Sequence, residues 1–203
     1  MARITSVEAL RALYPPAHER AVRKQLDRLD RHCRSFIALS PIVVVSSSGA
    51  DGLADASPTG DQPGFVQVLD DNTLAIPDWP GNNRLDTLTN IIANPAVGLL
   101  FLVPGVEEVL RVNGEAELRD DADLRSAFER AGKLPRLLVL VRVREAYLHC
   151  AKALMRARLW DPASRIERSR LPSMNEMIRD QIGGDGPVEP QHEMIERYRK
   201  VLY

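Results

Sequence analysis

The sequence predicts a mainly β domain with flanking helices. Its 203 residues are about the length of one domain, and 44% are hydrophobic, close to the average for a globular chain. Short β-branched runs bounded by Gly and Pro recur through the middle of the chain and predict strands. These runs do not alternate regularly with helices, unlike the strands of a doubly wound sheet. We therefore expect an antiparallel barrel with helices packed outside it.

The expected domain covers residues 1–203 and has three parts: a helical N-terminal extension (1–39), the barrel (40–149) and a helical C-terminal segment (150–203). Thr5-Ser6-Val7-Glu8 predicts the capped start of a short helix that ends near Tyr14. Apolar residues spaced three and four apart predict one longer helix from about Ala17 to Ile37.

The barrel is predicted from apolar runs separated by turn residues. The predicted strands are 42–47, 53–56, 65–69, 73–76, 96–103, 109–118 and 137–147. The residues 57–64 are rich in Gly and Pro and predict a loop. The 96–103 strand is almost continuously apolar, so we expect both of its faces to be buried.

Helices are predicted between and after these strands. Those between strands cover about Leu85–Ala93 and 121–131, and those after the last strand cover about 150–159 and 189–203. A Gly-rich stretch at 183–187 predicts a mobile linker before the last helix.

Charge and cysteine content exclude several classes of protein. The 27 basic and 28 acidic residues leave a formal net charge of -1, which argues against binding of nucleic acid by bulk charge. The two cysteines are far apart and predict no disulfide framework, so we expect a reducing cytoplasm. We predict no secretory signal and no membrane span, because the longest apolar stretch is short and contains Gly and Pro.

The segment Gly81-Asn82-Asn83-Arg84 is the most informative local feature, because it precedes a predicted helix. Helix N-termini expose unpaired N–H groups that suit a phosphate, and a guanidinium adds a two-pronged donor. Asn82 or Asn83 is expected to cap the helix. The alternative is that the Asn is only a cap and Arg84 a solvated surface residue.

The Ser57–Gly64 stretch is the second candidate, since its Gly and Pro residues can leave backbone N–H groups facing a ligand. The alternative is a plain connecting loop. The dipeptides His32-Cys33 and His149-Cys150 lack the spacing of zinc ligands, so no metal site is predicted. No dinucleotide-binding, Walker A or nucleophile-elbow motif occurs.

Several motifs of the middle of the chain occur in a known order. They are Ala56-Ser57-Pro58-Thr59-Gly60-Asp61, Pro80-Gly81-Asn82-Asn83-Arg84-Leu85-Asp86, Leu110-Arg111-Val112-Asn113-Gly114 and His149-Cys150-Ala151-Lys152-Ala153. This series resembles the FMN-binding proteins of the pyridoxamine 5'-phosphate oxidase-like superfamily, within the branch of probable FMN-dependent enzymes. The resemblance covers about Leu26 to Pro162.

The resemblance implies a split β-barrel homodimer with FMN at the subunit interface. It implies that Asn82, Asn83 and Arg84 lie at the FMN phosphate. It implies that the loop with Ser57, Thr59, Gly60 and Asp61 lies along the isoalloxazine or ribityl portion. Arg111 and Asn113 are then on a strand near the dimer seam. Lys152 and Arg156 follow the final strand, where the partner subunit reaches the flavin.

The chain departs from this family in two places. Thr59 stands where the branch usually has a basic residue, so flavin affinity, reduction potential or substrate preference is expected to differ. The C-terminal Trp…Arg-Leu signature of true pyridoxamine phosphate oxidation is absent, since Arg158-Leu159-Trp160 has another order. We therefore expect a vitamin B6 compound not to be the substrate.

The resemblance favours an FMN-dependent oxidoreductase acting on an unidentified small molecule. Two alternatives remain open. The first is a non-catalytic flavin-binding or haem-related module, and the second is a reductase that uses a deazaflavin. No side chain demands a role as general acid or base, so no catalytic residue is predicted.

Overall fold

The β-branched runs pair into one seven-stranded antiparallel sheet in the computed structural model, which describes residues 3–202. The strands are β1 (Ile42–Ser48), β2 (Ala54–Gly60), β3 (Gln67–Val68), β4 (Thr73–Asp78), β5 (Ala96–Leu102), β6 (Val109–Arg119) and β7 (Leu137–His149). Their order across the sheet is β2-β1-β5-β6-β7-β4-β3, so the sheet is not closed. The predicted mainly β fold with flanking helices is thereby confirmed.

Eight α-helices flank this sheet in the described part of the chain. They are α1 (Val7–Arg11), α2 (Glu19–Arg23), α3 (Arg31–Leu39), α4 (Asp86–Ala93), α5 (Ala122–Ser126), α6 (Lys152–Ala157), α7 (Met174–Ile182) and α8 (Gln191–Arg199). The helix predicted over 17–37 is wrong, because the chain is not helical between Lys24 and Asp30. There Leu26 exchanges two backbone hydrogen bonds with Ala146 of β7, and Asp30 then caps α3.

The predicted loop at 57–64 is also wrong over its first half, because Ser57–Gly60 continue β2. Pro58 lies opposite Val44 in the register of β1 and β2. A proline is compatible with this strand because β2 is at the edge of the sheet, where one side needs no ladder hydrogen bond.

The main core lies on the inner face of the sheet. Helix α3 and the residues before it cover this face with Leu29, Cys33 and Ile37, which pack among inward residues such as Val43 and Phe101. A smaller cluster forms around Phe128, next to α5, on the other face of β4 and β7.

The outer face of β2, β1, β5 and β6 is more exposed. Its residues alternate with the core residues, so Leu100 of β5 is 36% exposed while its neighbours Leu99 and Phe101 are buried. The expectation that both faces of the 96–103 strand are buried is therefore wrong for the single chain. One row across this face, in strand order, is Pro58, Val44, Leu100, Arg111 and Tyr147.

The sheet is curved, so that strands far apart in its order face one another. A register shift at Asn113 and Gly114 bends the long β6–β7 pair, as β-bulges do. Beyond the end of β2, Oδ2 of Asp61 lies 4.0 Å from Nε of Arg130, which is in the connection between α5 and β7. Residues of the edge strand β2 and of β4, which is sixth in the order, therefore line one cavity.

The C-terminal segment contains α7, which the sequence analysis did not predict. Ser173 and Glu176 form a complete capping box at its start, and Gly183 ends it in a left-handed conformation. The capping-box spacing was therefore a usable signal. Trp160 attaches this segment to the barrel, because its indole N–H donates to the carbonyl of Val106 at 2.8 Å. Within the described residues, no helix has the length and apolar character that crossing a bilayer requires.

Candidate functional site

A cleft of about 460 Å³ lies where the curved sheet brings β2 and β4 together. Its walls come from β1, β2, β4, the start of β7, the connection between β4 and α4, and the first turn of α4. Six of the eleven predicted site residues line it: Ser57, Thr59, Gly60, Asn82, Asn83 and Arg84. Residues from two separate sequence motifs therefore meet at one surface.

The connection into α4 is shaped by two left-handed residues, Asn83 (φ 59°) and Leu85 (φ 60°). Asn82 Oδ1 accepts a hydrogen bond from the backbone N–H of Arg84 at 3.0 Å, which closes a local turn. The prediction that Asn82 or Asn83 caps the helix is wrong, because α4 begins at Asp86, with Leu85 at the N-cap position. No described side chain caps this helix, so its first N–H groups lie at the cleft without a side-chain acceptor.

Two guanidinium groups line the cleft. The Nε of Arg84 donates to Asp86 at 2.7 Å, and this contact raises the pKa of Arg84. Within residues 3–202, no acceptor bonds its Nη groups. Arg136 reaches in from the start of β7, with its Nη1 3.4 Å from Asn83 Oδ1. Arg136 is not predicted from the sequence, because it is 52 residues beyond Arg84 and no local motif links the two.

Asp78, at the end of β4, is a half-buried carboxyl in the wall of the same cleft. Burial raises its pKa, and the charge of Arg136 opposes that rise. No sequence pattern singles out Asp78 either, because an Asp at the end of a strand is common in turns. With Asp86, it balances the two guanidinium groups, so the cleft is polar without a large net charge.

The β2 side of the cleft presents hydroxyl groups. Ser57 and Thr59 both point to the inner face of β2, where they lie opposite the buried Val45 and Val43 of β1. Ser57 Oγ donates to Asp55 Oδ2 at 3.2 Å, and Thr87 Oγ1 of α4 donates to the same oxygen at 3.0 Å. This shared carboxylate connects the edge strand to the first turn of α4.

Asp61 is placed differently from the six cleft residues. Its carboxyl side chain is only 3% exposed, and it lies near Arg130 rather than in the cleft wall. Its proposed contact with a ligand stays a prediction.

The remaining predicted residues lie away from the cleft in the single chain. Leu110 and Val112 of β6 are buried in the core, so the alternate residues Arg111 and Asn113 point to the outer face. There Arg111 stacks on the ring of Tyr147 at 5.1 Å, and Asn113 donates to Glu145 at 2.9 Å.

Lys152 and Arg156 are exposed on α6, which follows β7. The structure therefore brings neither the β6 pair nor the α6 pair to the cleft of its own chain.

A second cavity, of about 700 Å³, lies between the N-terminal segment and the end of β7. Lys24 Nζ donates to the carbonyl of Leu148 there at 2.6 Å, and burial raises the pKa of Cys33 to about 11. Histidines 18, 32 and 149 contribute to its lining. Among the described residues, no group of three or more His, Cys, Asp or Glu side chains is arranged to hold a metal ion.

Comparison with known families identifies a match over the middle of the chain. The family model described as pyridoxamine 5'-phosphate oxidase matches residues 29–150, which is more than half of the chain. The matched region runs from the start of the core to the end of β7 and includes the whole cleft. No curated protein shows significant similarity to the chain.

Solved structures with a similar fold include a candidate pyridoxamine 5'-phosphate oxidase from Lactobacillus delbrueckii. It is 22% identical, with a TM-score of 0.47, and covers 61% of this chain and 98% of its own. The heme storage protein HutZ from Vibrio cholerae is 18% identical, with a TM-score of 0.41 and coverages of 60% and 94%. An F420 reductase is 20% identical, with a TM-score of 0.39 and coverages of 54% and 91%.

Proposed function

The chain belongs to the pyridoxamine 5'-phosphate oxidase family, and from this premise we propose that it is an FMN-dependent oxidoreductase acting on a small molecule. The observation that carries the proposal is the convergence of two separate motifs, Ser57–Gly60 and Asn82–Arg84, on one cleft. The volume of that cleft is within the usual range of small-molecule sites.

The groups in the cleft fit a flavin phosphate. The uncapped start of α4 supplies N–H groups, and Arg84 and Arg136 supply guanidinium donors beside it. Apolar side chains from three strands, Val45, Ile76 and Val139, supply a surface for a ring system. We propose that Arg84, Asn83 and Arg136 hold the phosphate and that Ser57 and Thr59 lie along the rest of the cofactor.

Bound FMN would supply hydride or electron transfer, and the protein would supply binding, orientation and exclusion of water. Asn82 keeps the turn before α4 closed by accepting the backbone N–H of Arg84, which fixes the backbone from which the Arg84 side chain extends. Asp86 orients the same guanidinium through its Nε. Asp78 is the half-buried carboxyl of the cleft wall; burial raises its pKa, and the charge of Arg136 opposes that rise.

We further propose that the protein is a homodimer. Arg111 and Asn113 lie on the outer face of the sheet and do not line their own cleft, so a contact with the cofactor would need the cleft of another chain. Their outer face also carries Leu100, Val44 and Pro58, which gives a partner an apolar surface to cover. We assign Lys152 and Arg156 on α6 to the same shared site. We also propose that the protein is cytoplasmic.

The test is titration of the purified protein with FMN, riboflavin, a deazaflavin and haem, followed by absorbance and fluorescence. We expect tight FMN binding with a flavin spectrum, and bleaching of that spectrum by a reduced nicotinamide under anaerobic conditions. Binding of FMN without reduction by any donor would favour a non-catalytic flavin module. Preference for the deazaflavin or for haem would overturn the assignment of the cofactor.

A further inference from the structure

Asp55 lies just behind the cleft and contacts two of the hydroxyl groups that line it. Its Oδ2 accepts one hydrogen bond from Ser57 and another from Thr87. Asp55 and Ser57 are two apart on β2 and share its inner face, whereas Thr87 comes from α4. One carboxylate oxygen therefore determines the direction of two hydroxyl protons that belong to different elements.

The direction of those protons decides which ligand groups this wall can bind. An ionised carboxylate only accepts hydrogen bonds, so both hydroxyl groups must use their protons on Asp55. The oxygens of Ser57 and Thr87 then present lone pairs to the cleft. A phosphate oxygen cannot donate to them, whereas a hydroxyl or an N–H can.

We propose that Asp55 is a positioning residue that makes the Ser57–Thr87 wall an acceptor surface, which binds the hydrogen-bond donors of the flavin and excludes its phosphate. The donors available on FMN are the ribityl hydroxyl groups and the imide N–H of the ring. This inference rests on the proposed function, and it adds Asp55 and Thr87 to the residues that determine how the cofactor lies.

The experiment measures dissociation constants for FMN and riboflavin with the wild type and four variants. These are Asp55→Ala, Thr87→Val, the Asp55→Ala/Thr87→Val double variant and Asp55→Asn. Loss of an uncharged hydrogen bond weakens binding by about 5-fold, so we expect Thr87→Val to weaken both ligands by about that factor. In the Asp55→Ala background, Thr87→Val should raise the dissociation constants less than 2-fold, because Asp55 no longer orients the Thr87 hydroxyl.

Two readouts separate this role from simple support of α4. Asp55→Asn keeps one carbonyl oxygen that can accept both hydroxyl protons, so it should restore binding to within about 3-fold of wild type. The preference for FMN over riboflavin should not fall in Asp55→Ala, because removing a negative charge near Arg84 cannot weaken its contact with a phosphate. A residue that only supported α4 would displace Arg84 and reduce that preference when replaced.

Lumiflavin identifies the donor, because it keeps the imide and lacks the ribityl hydroxyl groups. A loss of lumiflavin affinity in Thr87→Val would assign the imide, and no loss would assign the ribityl chain. Additive effects of Asp55→Ala and Thr87→Val, or a reduced FMN preference in Asp55→Ala, would overturn the inference while the proposed function stands. A wild type that binds neither flavin would overturn both.

Discussion

Arg84 is the residue for which sequence and structure agree most closely, since its motif, its position before α4 and its place in the cleft coincide. If it binds a phosphate, Arg84→Ala should weaken FMN about 10- to 150-fold, because a charged hydrogen bond contributes ~1.5–3 kcal/mol. Riboflavin, which has no phosphate, should bind almost as before. Arg170→Ala, in a short helical turn outside the cleft, is the control. Equal loss of both ligands in Arg84→Ala would contradict the assignment.

Thr59 points from β2 into the cleft, where the family resemblance places a basic residue. Reduction of FMN at neutral pH adds negative charge to the ring, and a nearby cation stabilises that charge. After solvent screening, we expect about 1 kcal/mol of this stabilisation to remain. For a two-electron couple, a free energy of ~1.4 kcal/mol corresponds to about 30 mV. Thr59→Arg should therefore raise the midpoint potential of bound FMN by a few tens of millivolts.

A spectroscopic redox titration measures this shift at full FMN occupancy. Thr59→Gln serves as the control, because it adds length without charge and should leave the potential within a few millivolts of wild type. An unchanged potential in Thr59→Arg would place this side chain away from the ring.

Among the helices, α3 depends on a side-chain cap at its N-terminus, Asp30. Asp30 accepts hydrogen bonds from the backbone N–H groups of Cys33 (2.9 Å) and His32 (3.0 Å). Asp30→Ala should lower the free energy of unfolding by about 1 kcal/mol and the Tm by about 2–4 °C. Asp27→Ala is the control, because the Asp27 side chain is 85% exposed and pairs only with its neighbour Arg28 within the described chain.

The same cap predicts a pH dependence. The backbone N–H of Cys33 is the largest cause that lowers the pKa of Asp30 below its ordinary 3.8. A lowered pKa stabilises the fold above the unfolded value and loses that contribution as pH falls through the folded value. The difference in stability between wild type and Asp30→Ala should therefore be full at pH 7 and shrink below about pH 4. A difference that is constant down to pH 3 would contradict the role of the ionised cap.

Gly114 marks the place where β6 and β7 change register. A Cβ at this position would lie 2.2 Å from the carbonyl oxygen of Arg142, which is closer than real Cβ contacts. Gly114→Ala should therefore destabilise the protein by about 1–3 kcal/mol, measured by denaturant unfolding. Gly186→Ala should be neutral, because nothing lies within 4 Å of its added Cβ. Equal stability of the two variants would show that the bulge relaxes freely.

In the proposed dimer, the outer face of the sheet contributes residues to the cleft of the partner. Leu100→Glu places a carboxylate in the middle of that face. Burying an unpaired charge costs ~3–5 kcal/mol, so the dimer Kd should rise about 100-fold or more in sedimentation equilibrium. FMN affinity should fall with it, and added FMN should favour the dimer by mass action.

Ile92→Glu is the matched control for this variant, since Ile92 is a 77% exposed apolar side chain on α4, outside that face. A Leu100→Glu protein that remains dimeric would assign the interface to another surface. A monomer that binds FMN with unchanged affinity would refute the shared site.

Local sequence patterns predict the mainly β class, the approximate position of most strands and the two motifs of the cleft. These were accessible because each rests on local chemistry: β-branched runs, turn residues, and an Asn-Asn-Arg segment before a helix. The sequence-based predictions were wrong where contacts with residues far along the chain overrode the local pattern. The 17–37 periodicity was interrupted because Leu26 pairs with Ala146, and the Ser57–Gly60 turn residues became a strand because β1 offered hydrogen-bonding partners.

The side of the sheet that each site residue faces could not be predicted from local patterns, and it became known from the three-dimensional structure. Strand alternation places Ser57 and Thr59 inside and Arg111 and Asn113 outside, and this depends on which face the core occupies. The three-dimensional structure also added Asp55, Asp78 and Arg136, which no motif joins to Arg84. Their contacts form because the sheet curves and brings its opposite ends together, and that curvature is a property of the assembled strands rather than of any one segment.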